Sequence, residues 1–279
     1  MLLESSAVDA DHRNAWGESA LYGAAVHGYT EVVKLLVEHD DVDLALPNQM
    51  GKTALAIAAM NNYEAIVTLI IEGRKNDDIL DLPTNQGETP IHLAATGGYV
   101  AIVKVLLEAG ANPDTEDNCG LTPVFHAAVW GKGEVVELLI EHSNVNPNRC
   151  DTDWRTGLHW AATKGMADIV TILFRSELLN ADALYDKGRT PLHCAVIFNH
   201  RQVIEVLMER EDVDPNRRDN DGRSPLSYAA EHGTEGVVNL LLDGGARNDA
   251  IPDRFGHTPF SYAKLRGIPV LMQILSSGA

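Results

Sequence analysis

The chain has 279 residues, of which 45% are hydrophobic, and it carries a formal net charge of −18 at pH 7. So large an apolar share excludes a disordered chain, because there is ample surface to bury. The excess of negative charge repels phosphate backbones and anionic lipid headgroups, so we expect neither nucleic acid nor a membrane as partner.

Cysteine usage indicates a reducing compartment. The three cysteines, Cys119, Cys150 and Cys194, form no Cys-x-x-Cys pair and are odd in number. This pattern supports neither a disulfide framework nor a zinc site. The sequence also has no apolar run of membrane-spanning length and no signal-peptide core at its start. We therefore predict a cytoplasmic, or at least intracellular, location, with the nucleus left open.

A short segment with a fixed pattern returns along the whole chain. Aligned on the glycine of residues 87–95, the frame recurs at intervals of 33 to 36 residues, with turn positions at 17, 51, 87, 120, 154, 188, 222 and 256. Regular self-similarity of this kind indicates stacked structural repeats.

Each repeat begins with the same local signals. The turn glycine suits a backbone with positive φ. The residue two positions later is always Ser or Thr, which predicts a helix N-cap: Ser19, Thr53, Thr89, Thr122, Thr156, Thr190, Ser224 and Thr258. Proline follows in five copies, where its missing N–H costs nothing. An alanine then recurs in all eight copies, and its small side chain allows neighbouring helices to approach closely.

A second helix is predicted in every repeat. Residues 31–36, 101–107 and 236–242 are examples in which apolar residues recur at i, i+3 and i+4 and form one buried stripe. Gly110 and Gly244 stand where such helices should end. A polar connector, such as residues 212–216, leads to the next turn.

The pattern resembles the ankyrin repeat, whose Gly-x-Thr-Pro-Leu-His-x-Ala-Ala signature is matched most closely by residues 188–195 and 87–95. The resemblance implies an all-α solenoid of stacked helix-turn-helix units with β-turn fingers. Stability then comes from neighbouring repeats, so we expect residues 1–279 to form a single array. Residues 1–16 would be the tail of a preceding partial repeat.

Several details depart from the family pattern. Trp154 replaces the turn glycine of the fifth repeat and Gly157 the proline, which puts that turn geometry in question while the helix pattern remains. The family histidine is kept at His92, His159 and His193, where we expect a structural role within the repeat. Residues 72–78 predict a longer exposed loop. Residues 2–7 and 274–279 both resemble the tail of a second helix, which suggests a segment of a larger repeat protein. A long array with connectors such as residues 212–216 resembles those of fungal nucleotide-binding surveillance proteins.

No catalytic or cofactor motif is complete. Residues 51–53 copy the end of a phosphate-binding loop, but Leu46 stands where the first glycine is required. The sequence contains no zinc-protease, dinucleotide or nucleophile-elbow motif. We therefore predict a protein that is not an enzyme and that needs no cofactor and no metal.

The resemblance places partner binding on the finger tips and on the exposed side of the first helix, which together line a concave surface. Large apolar residues concentrate there from the fourth to the sixth repeat, together with basic residues and two finger residues: Trp130, Trp154, Phe198, Arg155, Lys164, Lys187, Arg189, Cys119 and Asp153. Aromatic side chains beside arginine are typical of binding hot spots. We predict a monomer that binds a protein or peptide, with the acidic chain attracting a basic partner and the local basic group accepting a carboxylate.

Three other interpretations remain open. Trp130 and Trp154 would fill a gap in the interior if they folded inward. His126, Asp151, Asp153 and His159 would supply acid–base groups near Trp154 and Trp160 if the groove of the fourth and fifth repeats held a small-molecule enzyme or isomerase. The chain would otherwise serve as a structural spacer or a self-association segment.

Overall fold

The computed structural model describes residues 9–73, 79–142, 145–232 and 234–276. The chain divides into two compact units, Met1–Val145 (unit 1) and Asn146–Ala279 (unit 2). The single array over residues 1–279 stays a prediction. The exposed loop expected over residues 72–78 starts later than predicted, because residues 72 and 73 belong to a helix that ends at Gly73. Residues 74–78 lie outside the described residues, as do residues 2–7 and 277–279 of the expected helix tails.

Eight helices are described in each unit, two for every turn position predicted from the sequence. In unit 1 they are α1 Ala20–Val26, α2 Thr30–Val37, α3 Ala54–Met60, α4 Glu64–Gly73, α5 Pro90–Gly97, α6 Val100–Glu108, α7 Pro123–Val129 and α8 Gly133–Ile140. In unit 2 they are α9 Gly157–Lys164, α10 Ala167–Leu173, α11 Pro191–Ile197, α12 Arg201–Met208, α13 Pro225–His232, α14 Glu235–Asp243, α15 Pro259–Arg266 and α16 Pro269–Ser276. The residues described contain no β-strand, and Cys150 and Thr156 form an isolated bridge.

The predicted caps set the starts of the first helices. The Ser19 hydroxyl accepts the backbone N–H of Tyr22 at 3.2 Å, and the Thr53 hydroxyl accepts that of Ala56 at 3.2 Å. All five prolines of the pattern stand at the first residue of a helix. The fourth repeat differs, because the Thr122 hydroxyl makes no cap bond and is buried without a partner.

The turn before each first helix has the same geometry in all eight repeats. The seven turn glycines have φ between 68° and 83°, and Trp154 has φ 66°. Its backbone N–H donates to the Asp151 carbonyl at 2.9 Å, as that of Gly87 does to the Thr84 carbonyl. The tryptophan therefore leaves the fifth turn intact, although the sequence put that geometry in question.

Two layers of helices form the core of each unit. In unit 1 the first helices α1, α3, α5 and α7 pack side by side in chain order, and so do the second helices α2, α4, α6 and α8. Unit 2 repeats this order with α9, α11, α13 and α15 and with α10, α12, α14 and α16. The alanine predicted at one position of every first helix is buried in all eight copies.

The fingers within a unit are joined by hydrogen bonds. The backbone N–H of Asn85 donates to the Met50 carbonyl at 2.9 Å, and its side-chain amide donates to the Gln49 carbonyl at 2.9 Å. In unit 2 the backbone N–H of Asn220 donates to the Lys187 carbonyl in the same way at 3.0 Å. Stacking of the repeats thus fixes the finger tips as well as the helices.

The three family histidines connect neighbouring repeats. In His193, Nδ1 accepts the backbone N–H of Thr190 at 3.2 Å, and Nε2 donates to the Arg223 carbonyl of the next finger at 3.2 Å. His92 and His159 make the equivalent bonds. All three rings are fully buried, and burial lowers the pKa of each to about 4. The structural role predicted for these histidines is confirmed.

Candidate partner-binding surface

The fifth and sixth repeats in unit 2 expose two large aromatic side chains. Trp154 at the fifth finger tip is 65% exposed, and Phe198 at the end of α11 is 54% exposed. The Phe198 ring stacks on His200, with ring centroids 6.4 Å apart. Asp153, Lys164 and Lys187 are exposed on the same fingers and first helices. The inward-facing alternative for Trp154 is therefore wrong.

Arg155 is engaged by carboxylates of its own finger. Its Nε donates to Asp151 Oδ2 at 3.0 Å and one Nη donates to Asp153 Oδ2 at 2.7 Å. The guanidinium also lies 4.4 Å from the centroid of the Trp160 ring. These contacts hold the arginine against the first helix, so its charge is already paired within the repeat.

Arg189 is held in a similar way one repeat later. Its guanidinium donates to Asp219 Oδ2 at 3.3 Å and to the Tyr228 hydroxyl at 2.7 Å. The side chain of Asp219 is only 1% exposed. The sequence predicted a group of basic residues that would accept a partner's carboxylate. That group is smaller than expected, because both arginines already have carboxylate partners within the chain.

A recurring pair of an aspartate and an aromatic ring underlies this surface, and sequence reasoning missed it. One oxygen of the finger aspartate accepts two finger N–H groups, and the other accepts a ring donor nine residues later. The pairs are Asp117 with His126 Nε2 at 2.9 Å, Asp151 with Trp160 Nε1 at 3.0 Å, Asp219 with the Tyr228 hydroxyl at 2.6 Å and Asp253 with the Tyr262 hydroxyl at 2.5 Å. The constant spacing of nine residues between the aspartate and the ring could have revealed these pairs from the sequence.

The pairs extend into an aromatic and cationic stack in unit 2. The Arg223 guanidinium lies 3.8 Å from the Tyr228 ring centroid and 4.4 Å from that of Tyr262, and it pairs with Glu231. Burial and the hydrogen bond to Asp219 raise the pKa of Tyr228. Burial opposes ionisation of Asp219, but hydrogen bonds from Tyr228 and Arg223 outweigh it and lower its pKa. This part of the surface is a network of internal charge pairs and hydrogen bonds, in which only the buried Nε of Arg223 among these groups has no hydrogen-bond partner.

The comparison with family models decides the identity. Models for ankyrin repeats match residues 1–79, 74–151 and 143–219, and a model for a single ankyrin repeat matches residues 221–253. The chain belongs to the ankyrin-repeat family. Its fold is accordingly the all-α ankyrin fold that the sequence pattern predicted. The search of curated proteins found no match.

The last ankyrin repeat lies beyond the matched residues and rests on the structure. Gly256 begins it with φ 82°, Thr258 caps α15 through the N–H of Ser261, and α15 and α16 pack against each other. The eighth repeat is therefore complete in its two helices.

The two predicted contact residues outside unit 2 lie on unit 1. Trp130 follows α7 and is 59% exposed, and Cys119 is exposed on the fourth finger. The inward-facing alternative for Trp130 is also wrong. The predicted binding residues are thus divided between the two units.

The acid–base groups of the enzyme alternative have structural partners. His159 is fully buried. Asp151 bonds Trp160 and Arg155, and His126 in unit 1 bonds Asp117 and Thr96. Within the described ranges, no group of three or more His, Cys, Asp or Glu side chains is placed to hold a metal ion. No described helix has the length and apolar character needed to cross a membrane.

The fingers of the first two repeats also expose large apolar side chains. Trp16 and Met50 stand immediately before their turn glycines and are 67% and 60% exposed. The acidic charge is unevenly placed as well. Residues 1–145 hold 22 acidic and 7 basic residues, a net charge of −15, whereas residues 146–279 hold 18 and 15, a net charge of −3.

Proposed function

We propose that this ankyrin-repeat chain is a non-catalytic module that binds a protein or peptide partner through its fingers and first helices. On unit 2 the contacts come from Trp154, Phe198, Asp153, Lys164 and Lys187 of the fifth and sixth repeats. Trp130 and Cys119 add contacts on unit 1. Arg155 and Arg189 hold this surface rigid, because their own carboxylates already engage them.

One observation carries the proposal, namely the conformation of Trp154. Seven of the eight turns place glycine at this left-handed position, whereas the fifth places a tryptophan there with φ 66°. A non-glycine residue in this region costs about 1–2 kcal/mol. Burial does not repay that cost, because the side chain is 65% exposed. Backbone strain without compensating burial supports a role in recognition, since such strain clusters at functional sites.

The surroundings of Trp154 support a protein partner. Trp154 lies in the chain between Asp153 and Arg155, whose side chains form an ion pair, and Asp186 of the next finger donates its backbone N–H to the Asp153 carbonyl at 3.1 Å. A tryptophan on a rigid support loses little conformational entropy on binding, so it gains affinity at low cost. Exposed Lys187 on the neighbouring finger supplies a cation for polar contacts at the rim.

The burial of His159, one of the candidate acid–base groups, supports the non-catalytic part. Proton transfer needs a group within reach of a substrate at a suitable pKa. His159 has no exposed surface, and burial lowers its pKa to about 4. Its two ring nitrogens also serve Thr156 and the Arg189 carbonyl.

The proposal is tested by affinity pulldown from the native cell, followed by titration of the captured partner against purified variants. We expect Trp130→Ala with Phe198→Ala to abolish capture with almost no change in thermal unfolding. Trp154→Gly should weaken binding while raising the unfolding temperature. Leu178→Ala is the matched control, because Leu178 is 62% exposed but lies outside the fingers and first helices.

Two results would contradict this function. A large loss of stability in the Trp130 and Phe198 variant would make these side chains part of the core. Equal loss of binding in the Leu178 control would remove the assignment to the finger surface. Light scattering should show a monomer, whereas concentration-dependent assembly would favour the self-association alternative.

A further inference from the structure

The first repeat of unit 1 lacks the ring that lies beneath the finger in four other repeats. Gly23 occupies the first-helix position of His126, Trp160, Tyr228 and Tyr262. A Cβ built at Gly23 would meet nothing within 4 Å. The space above Gly23, which an aromatic ring fills in those four repeats, is therefore open. We call this space the hollow.

A carboxylate stands beside this hollow, at the position where unit 2 places arginines. Glu18 directly follows the turn position of its repeat, as Arg155 and Arg223 do in theirs. Those arginines lie on the first-helix rings, 4.4 Å from the Trp160 centroid and 3.8 Å from that of Tyr228. Glu18 Oε2 accepts the side-chain amide of Asn14 at 2.7 Å, which holds the carboxylate on the finger.

The negative charge of Glu18 acts on a neighbouring residue of the first helix. Tyr22, immediately before Gly23, is buried, and burial together with the negative charge of Glu18 raises the pKa of its hydroxyl. The negative charge of this carboxylate therefore affects the first helix beside Gly23. Among the residues that the structure describes, no basic side chain pairs with it, whereas the equivalent ring–aspartate sites of unit 2 carry an arginine.

Apolar side chains flank the hollow at the finger tips. Trp16 and Met50 are 67% and 60% exposed. Their fingers are joined, because the backbone N–H of Gln49 donates to the Trp16 carbonyl at 3.1 Å and its side-chain amide donates to Ala15 at 2.9 Å. Two large exposed apolar side chains on a fixed support form a surface suited to an extended segment.

The charge of unit 1 selects the kind of segment. Its net charge of −15 attracts basic ligands and raises their local concentration. The positive charge of Lys52 on the second finger opposes this attraction. Its Nζ, however, lies 3.2 Å from the Met60 sulfur at the end of the first helix of the same repeat. A basic group is therefore favoured beside Glu18.

We propose that the first two repeats form a second recognition site, which takes a lysine or arginine flanked by apolar residues in an extended peptide segment. The basic group pairs with Glu18, its stem fills the space above Gly23, and the flanking residues pack on Trp16 and Met50. The ligand supplies from outside the cation that unit 2 supplies from its own arginines. The site lies wholly on unit 1 and does not depend on the Trp154 surface.

The test uses random peptides displayed on phage and selected on the purified full chain. We expect selected sequences to place Arg or Lys beside Leu, Phe or Trp. Synthetic copies of these peptides, followed by fluorescence anisotropy, should bind Glu18→Lys and Gly23→Tyr at least about tenfold more weakly. Glu31→Lys on α2 is the matched control, because it changes the charge of unit 1 equally away from the fingers, and it should lose no more than about twofold.

Each other outcome overturns the site. Selection of acidic or neutral peptides would remove the assigned ligand, and an equal loss with Glu31→Lys would reduce binding to the general charge. Unchanged binding by a folded Gly23→Tyr variant would show that the hollow is not used; should that variant unfold, Glu18→Lys decides. Loss of peptide binding in Trp154→Gly would place the ligand on unit 2, whereas its retention there separates this site from the proposed function.

Discussion

Units 1 and 2 share one repeat backbone but carry different side chains at the same positions. In unit 2 the residue after the turn is Arg155, Arg189 or Arg223 in three successive repeats, each resting on a tyrosine or tryptophan ring. In unit 1 the same position holds Glu18, Lys52, Glu88 and Leu121. The turn, cap and core positions fix the fold, which leaves this position free to set the surface.

The difference changes what each surface offers. Unit 2 builds its charge pairs internally, so its network is rigid and presents Trp154 and Phe198 on a preorganised support. In the first repeat of unit 1, Glu18 has no arginine or lysine partner among the described residues, and the space above Gly23 is open. Preorganisation lowers the cost of binding, whereas an open charged site gains selectivity from charge complementarity.

The largest effect should come from removing the aspartate at the centre of the unit 2 network. Asp219→Ala leaves Arg189, the Tyr228 hydroxyl and two finger N–H groups without their acceptor. We expect a loss of about 3–5 kcal/mol in the free energy of unfolding, measured by urea denaturation. Asn48→Ala in unit 1 removes a half-buried acceptor of two N–H groups and should cost about 1 kcal/mol. Equal losses would refute the contrast between the units.

The buried histidines should make both units sensitive to acid. The pKa of His193 is about 4 in the folded chain against 6.5 for an ordinary histidine. The unfolded chain therefore binds the proton first as pH falls below 6.5, and stability present above that pH is lost toward pH 4. The stability difference between wild type and His193→Gln should shrink by about 2 kcal/mol from pH 7 to pH 5. His92→Gln gives the matched measurement in unit 1, and a constant difference would mean that the rings titrate normally.

Opposite signs are expected for two changes at equivalent turn positions. Trp154→Gly in unit 2 should raise the free energy of unfolding by about 1 kcal/mol, because it releases left-handed strain. Gly51→Ala in unit 1 should lower it by at least about 1 kcal/mol, since φ is 75° and the new Cβ would lie 2.7 Å from the Asn85 nitrogen. Calorimetry of both variants measures the signs. A loss of stability in Trp154→Gly would indicate that the indole packs on the protein.

The smallest effect should come from surface ion pairs on the second helices. Lys104 and Glu108 in α6 are 3.8 Å apart, and Arg201 and Glu205 in α12 are 2.8 Å apart. Both pairs are exposed, so Lys104→Ala and Arg201→Ala should each change the free energy of unfolding by less than about 0.5 kcal/mol. A loss above that value in α12 alone would extend the difference between the units to the second helices.

Much of the structure was predictable because it depends on local signals. The turn glycines, the Ser and Thr caps and the helix-initiating prolines act within a few residues, and the structure places them as predicted. Exposure of Trp154 and Phe198 followed from their positions in the repeat. The engagement of Arg155 and Arg189 did not. The partners of Arg155 lie on its own finger, but Asp219, the partner of Arg189, belongs to the next repeat and meets it only when the repeats stack.

By itself the sequence determined the repeat, its eight turns and its two helices per turn, since periodic burial and local capping leave few alternatives. Tertiary structure decided how the surface is used. It showed that Asp219 collects donors from separate repeats, that Trp154 keeps a glycine's conformation, and that the position of Gly23 is open. The contact between Arg189 and Asp219 joins residues that are distant along the chain, and local pattern carries no direct record of it. The conformation of Trp154 and the space around Gly23 belong to single positions, which the repeat pattern averages over.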